Sequence, residues 1–203
     1  MQIKYAALIL VAINIIVFAI QASVSGFTES FLLQSFDITA RPWILISSIF
    51  LHGSLAHILG NMFALGLFGL ILEHNIGSKR FLTIYFASGL VTSIVSAFFY
   101  PSSLGASGAI FGVIGVLAAL RPKMVVWTYG VPMPMFVAAG FWLFLDVLGA
   151  FYPTNVANIA HISGLIFGVL IGLVIRKPEI LKDSKKEKIL DDENFQRWED
   201  EWM

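Results

Sequence analysis

Six long apolar runs separated by short polar segments most constrain how this chain can fold. A helix that crosses a bilayer needs about 20 largely apolar residues. Only 13% of the chain is charged, whereas soluble domains average about 25%. A core alone cannot bury this much apolar surface in 203 residues. We therefore predict an all-α integral membrane bundle of six transmembrane helices. The predicted spans are residues 5–24, 54–73, 81–99, 107–120, 130–149 and 156–175.

The distribution of basic residues predicts the orientation of the bundle. If the N-terminus lies inside, 12 of the 13 Lys and Arg residues fall on the inner side, and only Arg41 falls outside. Positive charge favours the cytoplasmic side, so both termini are predicted to be cytoplasmic. The first run lacks a clear cleavage site and is predicted to be a retained helix. The compact six-span form, without targeting signals, favours a prokaryotic cell membrane.

Two regions differ from the spans. Residues 1–175 are predicted to form the membrane domain, in which the outer loop at about 25–53 is partly embedded. Apolar residues from Phe27 to Phe36 recur at near-helical spacing there, which predicts a helix lying in the outer interface. Residues 176–203 contain 7 basic and 9 acidic residues, so they are predicted to form a charged cytoplasmic tail without a chemical role.

The composition also excludes some classes of partner and chemistry. Cysteine is absent, which excludes disulfides and thiol catalysis. The formal net charge is zero, so the chain lacks the basic surface that nucleic acid requires. The predicted partners are therefore the lipid bilayer and other membrane proteins, and the oligomeric state is left open.

A serine between glycines, in the segment Gly105-Ala-Ser107-Gly108, stands where a polar loop becomes an apolar helix. The start of a helix supplies backbone N–H donors and a positive dipole end, and glycines allow a close approach of other chains. The span that follows has only about 14 residues, so it can begin below the membrane surface if protein encloses the preceding loop. This pattern predicts a serine placed inside the membrane.

The other polar residues of the spans fall on two helices. His57 and Asn61 are four residues apart and share a helical face, and His52 lies just before that helix. In the last span His161 begins a stripe that continues through Gly164 and Gly168 to Gly172. Packing this stripe against the glycines that follow Ser107 is predicted to bring His161 close to Ser107.

Each of these features also has a structural interpretation. Glycine stripes in membrane helices usually serve packing, and a lone histidine or asparagine can simply bond a neighbouring helix. The combination favours catalysis, because four polar residues are predicted at a similar depth on the same side. Asp146 could orient His161 as the acid of a triad. We instead predict that it lies at the interface, bonded to water or a loop amide. Glu73 is predicted to be structural.

Together these residues resemble the rhomboid intramembrane serine proteases. The resemblance runs from about Pro42 to Gly172. It rests on the spacing of the two histidines and the asparagine of the second span, on the glycine–serine box, and on Ala160-His161 with the glycines that follow. It implies a Ser107 nucleophile and a His161 base without an acid, as an endopeptidase that cuts single-span membrane proteins in or near their transmembrane segment. It also implies an oxyanion hole formed by His57, Asn61 and the Ser107 N–H.

The resemblance further implies supporting roles for several neighbours and a fifth span that acts as a gate for substrate entry. The supporting residues are His52, Gly105, Gly108, Phe111 and Gly164. Phe111 stands where the family often has tyrosine, so stacking on the histidine is retained without the hydroxyl. Trp43 is followed by Ile44 where the family often has arginine, and Arg41 precedes it.

No metal or cofactor is predicted, because no carboxylate accompanies the histidines of the second span. Two other classes of function remain open from the residues alone. The first is a non-catalytic membrane protein that binds or escorts transmembrane helices through the same polar cavity. The second is a small transporter, which the lack of an inverted repeat disfavours.

Overall fold

The computed structural model describes residues 5–152 and 156–176, and this part of the chain is mostly helical. The predicted tail beyond Arg176 lies outside the described residues. The longer helices, with two short ones in the first loop, are α1 (Ala6–Ser23), α2 (Phe27–Phe31), α3 (Ile44–Ser47), α4 (Leu55–Ala64), α5 (Leu70–Ile76), α6 (Ser78–Phe99), α7 (Ser107–Leu120), α8 (Met135–Ala150) and α9 (Asn158–Ile175). A π-helical turn, Leu65–Gly69, joins α4 to α5.

The predicted spans correspond to the observed helices, and the all-α membrane bundle is confirmed. Within the described residues, four helices are long and apolar enough to cross a membrane, namely Ala6–Ser23, Leu55–Ile76, Ser78–Phe99 and Asn158–Ile175. The helices Ser107–Leu120 and Met135–Ala150 are apolar but shorter. The number of six spans therefore stays a prediction.

The predicted start of the fifth span at residue 130 is wrong. Residues there form an antiparallel hairpin of β3 (Val125–Thr128) and β4 (Val131–Pro134), and α8 starts only afterwards. Tyr129 and Gly130 both have positive φ, 51° and 78°, as a two-residue hairpin turn of type I′ requires. Proline at 132 and 134 also keeps a helix from extending back through this segment.

The glycine stripes of the fourth and last spans pack against each other, as predicted. An added Cβ at Gly168 would overlap the carbonyl of Gly112, and one at Gly164 would overlap the carbonyl of Gly108. Since α7 is buried along nearly its whole length, it forms the centre of the bundle, between α6 and α9. The absence of side chains at these positions brings the backbones of α7 and α9 into contact.

The loop at about 25–53 is not the single interfacial helix predicted from its apolar spacing. Helix α2 ends at Phe31, because the chain then becomes β1 (Leu33–Gln34), which pairs with β2 (Ser102–Ser103). Arg41 holds this loop together. It donates to the carbonyls of Glu29 and Ser30 and to the side chains of Gln34 and Asp37.

Glu73 has the structural role predicted for it. Its carboxylate accepts hydrogen bonds from the N–H groups of Ala6 and Ala7, at 2.8 and 2.9 Å, in the first turn of α1. It also accepts the hydroxyl of Ser78 at the start of α6. A carboxylate at a helix N-terminus satisfies donors that have no acceptor in the helix. Glu73 thereby ties three helices together at the end of the bundle opposite Ser107.

Candidate active site

Ser107 is the first residue of α7, and the loop before it is enclosed by other segments. Gly105 donates its N–H to the Ser48 carbonyl at 3.0 Å, and Ala106 is fully buried. The first N–H groups of a helix have no acceptor within it, and the dipole adds partial positive charge there. With 14 residues, α7 is about 21 Å long, shorter than a hydrocarbon layer of about 30 Å. Such a helix has room to begin below the membrane surface.

His161 lies in the first turn of α9, beside Ser107. Its Nε2 is 2.8 Å from Ser107 Oγ. One turn beyond Ser107, Phe111 stacks on the imidazole with ring centroids 4.4 Å apart and an interplanar angle of 6°. The serine and the histidine that the sequence placed at similar depth are therefore in hydrogen-bond contact. Phe111 holds the face of the ring, as the resemblance implied.

The carboxylate of Asp146 contacts a histidine, whereas the sequence predicts that it bonds water or a loop amide at the interface. Its Oδ1 is 3.0 Å from Nδ1 of His161, and the residue is 7% exposed. Only a short connection joins the end of α8 to the start of α9, so the last turns of one helix face the first turn of the other. The available signal was a single carboxylate in an otherwise apolar span. A carboxylate can only accept, so Nδ1 carries the proton and Nε2 is free to accept from Ser107.

His57 faces the loop that precedes Ser107. The backbone N–H of His57 donates to Oγ of Ser54 at 3.1 Å, and Ser54 thereby caps the start of α4. The N–H of Gly53 lies 3.4 Å from His57 Nδ1, which favours the tautomer with the proton on Nε2. An added Cβ at Gly105 would lie 2.9 Å from that Nε2. Gly105 also has φ 125°, so both its conformation and its contact with His57 require glycine.

Asn61 lies one turn after His57 on the same face, as predicted. A Cβ added at Gly105 would lie 3.7 Å from Nδ2 of Asn61, and Asn61 is 8% exposed. Within the described part of the chain, this Nδ2 has no hydrogen-bond partner. A buried donor left unpaired costs about 1–3 kcal/mol. The loop before Ser107 is thus lined by a buried amide donor that no residue in this part of the chain satisfies.

His52 lies behind His57 and is buried, with 2% of its surface exposed. The two rings meet edge to face, 5.1 Å between centroids. Burial, and to a lesser degree the neighbouring His57, lowers the pKa of His52 to about 4. The N–H of His52 donates to Oε1 of Gln21 at 2.9 Å, which ties this segment to α1. His52 is therefore a neutral ring that packs against His57.

Gly108 and Gly164 set the spacing of the helices around Ser107. An added Cβ at Gly108 would lie 2.7 Å from Thr92 Cβ on α6, and one at Gly164 would meet the Gly108 backbone. These contacts let α6 and α9 approach the start of α7. Over residues 5–152 and 156–176, no three His, Asp or Glu side chains converge as the ligands of a metal ion would.

Comparisons with known proteins show the family to which the chain belongs. The family model of the Rhomboid domain matches residues 39–178. The chain is 33% identical over 180 residues to the rhomboid protease GluP of Bacillus subtilis, an alignment that covers 83% of this chain and 34% of that protein. It is 35% identical over 138 residues to the mitochondrial RHOMBOID-like protein 6 of Arabidopsis thaliana, covering 66% of this chain and 44% of that one.

A third relative, RHOMBOID-like protein 4 of Arabidopsis thaliana, is 36% identical over 135 residues, with 66% of this chain and 34% of that protein covered. The chain spans between about a third and under a half of the length of these relatives. The matched region contains Ser107, His161, His57 and Asn61. This chain therefore belongs to the rhomboid family and is an integral, multi-pass membrane protein.

Proposed function

We propose that this chain is an intramembrane serine endopeptidase in which Ser107 is the nucleophile and His161 the general base. The observation that carries the proposal is the 2.8 Å contact between Ser107 Oγ and His161 Nε2. A serine hydroxyl is a weak nucleophile until an adjacent base removes its proton. The proton on Nδ1 of His161 leaves Nε2 able to perform this step.

The reaction follows from the atoms at hand. As the Ser107 oxygen bonds to the scissile carbonyl carbon, its proton moves to Nε2 of His161 and the carbonyl oxygen becomes an anion. When the C–N bond breaks, the same proton passes to the leaving amine. Water then repeats the sequence, giving its proton to Nε2 and its hydroxyl to the acyl carbon. Ser107 finally recovers its proton from Nε2.

The oxyanion requires donors close to Ser107. The candidates are the buried, unpaired Nδ2 of Asn61, the Nε2–H of His57 and the backbone N–H of Ser107. Preorganised donors of this kind strengthen as charge develops on the oxygen, and each contributes roughly 100-fold to 1,000-fold in rate. The oxyanion would then be the hydrogen-bond partner that the buried Nδ2 of Asn61 lacks among the described residues.

The proposed substrates are membrane proteins with a single transmembrane segment. All backbone groups of a spanning helix are bonded internally, so the substrate must unwind locally to present a carbonyl to Ser107. Residues with low helix propensity near the cut lower that cost. We expect a reporter that contains glycine near the cut to be cleaved faster than the same reporter stabilised with leucine. Equal rates for the two reporters would contradict this.

The proposed setting is a prokaryotic cell membrane with both termini in the cytoplasm. Ser107 and His161 lie at the end of the bundle opposite Lys79, Arg80 and Arg121. The positive-inside rule assigns that basic end to the cytoplasm, which places cleavage toward the outer side. Accessibility of single cysteines introduced at either end to a membrane-impermeant thiol reagent, in a chain without native cysteine, tests the orientation.

The decisive experiment compares purified wild type with Ser107→Ala and His161→Ala in proteoliposomes with a single-span reporter. Cleavage by wild type that both substitutions abolish is the expected result. Matched controls are Ser102→Ala, in the loop before α7, and His74→Ala, an exposed histidine at the far end of the second span. Both should cleave like wild type. Cleavage that persists in Ser107→Ala would overturn the assignment.

A serine-directed covalent probe separates the protease from the non-catalytic alternative. The protease should be labelled at Ser107, because only an activated hydroxyl reacts. A folded wild-type protein that neither cleaves nor takes up the probe would instead favour a protein that binds or escorts transmembrane helices.

A further inference from the structure

We infer that Asp146 is a positioning residue for the proposed base, acting on His161 from the end of a different helix. The inference rests on the proposed function and adds a third group to its Ser–His pair. Oδ1 of Asp146 is 3.0 Å from Nδ1 of His161, on the side of the ring away from Ser107. The serine hydroxyl, the imidazole and the carboxylate therefore form one continuous line of hydrogen bonds.

The chemistry of this contact fixes the proton of His161. In a neutral imidazole one nitrogen donates and the other accepts. An ionised carboxylate beside Nδ1 can only accept, so it stabilises the tautomer that leaves Nε2 available to Ser107. When Nε2 takes the serine proton, the ring becomes positive between Ser107 and Asp146. The carboxylate stabilises that charge without itself being protonated.

A purely structural role explains Asp146 less well. The buried residues of α8 are Met135, Ala138 and Ala139 at the far end, and Asp146 near the site. An apolar residue would tie the near end of α8 to the bundle at lower cost, since burying a charge is expensive unless it is paired. The described ionisable groups that face His161 are Asp146 from α8 and, more distantly, His57 from α4. Asp146 is thus the partner that makes direct contact.

The arrangement also couples the base to the position of α8. Trp142, one turn before Asp146, meets Phe68 of the second span edge to face at 5.7 Å. The side chains on the other faces of α8, such as Phe144 and Leu148, are exposed on the surface of the bundle. A displacement of this end of α8 would therefore remove the partner of Nδ1 as well as the contact with the second span.

The kinetic test is Asp146→Asn, which keeps the shape and removes the charge. We expect kcat to fall at least about 100-fold, while KM for the single-span reporter changes less than about threefold. Gly149→Ala is the matched control, because its Cβ would lie 2.6 Å from Asn158 Oδ1 and so disturbs the same end of α8 with the carboxylate intact. Equal kcat losses in the two variants, at equal losses of melting temperature, would overturn the inference.

A spectroscopic test does not depend on activity. In ¹⁵N-histidine-labelled Ser107→Ala protein, the hydrogen bond to the carboxylate should give a ring N–H proton resonance shifted strongly downfield. Adding Asp146→Asn should move that resonance upfield or remove it. A spectrum that Asp146→Asn leaves unchanged would sink the inference even if wild type cleaves the reporter. Conversely, an inactive wild type that shows the resonance would refute the proposed protease and leave the contact established.

Discussion

Asn61→Leu separates the contribution of an oxyanion donor to catalysis from its contribution to stability. Leucine has nearly the shape of asparagine but no polar atoms. The substitution removes an amide that is 8% exposed and whose Nδ2 lacks a partner in the described residues. Most substitutions of buried residues reduce both activity and stability together. Here we expect activity to fall without a loss of stability.

The magnitudes follow from the geometry. Loss of one oxyanion donor costs roughly 100-fold to 1,000-fold in kcat, or about 2.7–4 kcal/mol of transition-state stabilisation. Removing an unpaired buried donor relieves a penalty of about 1–3 kcal/mol. The free energy of unfolding should therefore stay level or rise by up to that amount, while kcat for the reporter falls.

The assay measures reporter cleavage in proteoliposomes and thermal unfolding in detergent, for wild type and Asn61→Leu. Asn75→Leu is the matched control at the opposite end of the same span. Asn75 is fully engaged there, with Nδ2 2.6 Å from the Ile71 carbonyl and Oδ1 2.8 Å from Arg121 Nε. That variant should lose stability and keep kcat. A kcat for Asn61→Leu within threefold of wild type would refute the oxyanion assignment, and a clear loss of stability would refute the energetic argument.

Three further predictions test the fold and its dependence on pH. Gly168→Ala should lower the free energy of unfolding by about 1–3 kcal/mol, because its Cβ would overlap the Gly112 carbonyl. Gly140→Ala is the control and should leave stability unchanged, because no atom lies within 4 Å of its Cβ position. Equal melting temperatures for the two variants would contradict the packing. Burial lowers the pKa of His52 to about 4 in the folded protein, whereas the unfolded chain has the ordinary histidine pKa of about 6.5. The neutral His52 therefore makes its whole contribution to stability above the unfolded pKa, and that contribution is lost as pH falls toward about 4. The same pH dependence of the melting temperature in His52→Gln and in wild type would argue against this. Arg41→Gln should loosen the first loop and expose its backbone to hydrogen exchange, whereas unchanged protection there would show that Arg41 does not hold it.

Much of the architecture followed from local sequence physics. Apolar runs long enough to span a membrane identify their own helices, because every backbone group in lipid must be bonded within the segment. The 107–120 helix was predicted to its ends, since Gly105 lies just before it and Arg121 and Pro122 follow it. The contact between the glycines of α7 and α9 was also predictable, because small residues four apart lie on one side of a helix and allow close packing.

In the first loop, a contact distant in sequence overrode the local pattern. Phe27 to Phe36 has helical spacing, yet the chain leaves the helix after Phe31 to pair its backbone with Ser102 and Ser103. Spacing along a chain does not report a strand partner about seventy residues away, so this pairing could not be assigned from periodicity. The hairpin before α8 is a separate, local error, because its two strands are neighbours in the chain and are joined by Tyr129 and Gly130.

The sequence by itself determined the membrane class, the helices and the candidate residues, because each depends on composition or on periodicity within one segment. The sequence also predicted that His161 approaches Ser107, but only the tertiary structure decided that Asp146 meets the other side of the histidine ring. Ser107, His161 and Asp146 come from three helices, and no spacing between them predicts a line of hydrogen bonds. The separation and tilt of packed helices depend on the close contact of Gly108, Gly112, Gly164 and Gly168. That contact brings His161 on α9 to Ser107 on α7, and the separate packing of α8 against α9 adds the carboxylate of Asp146.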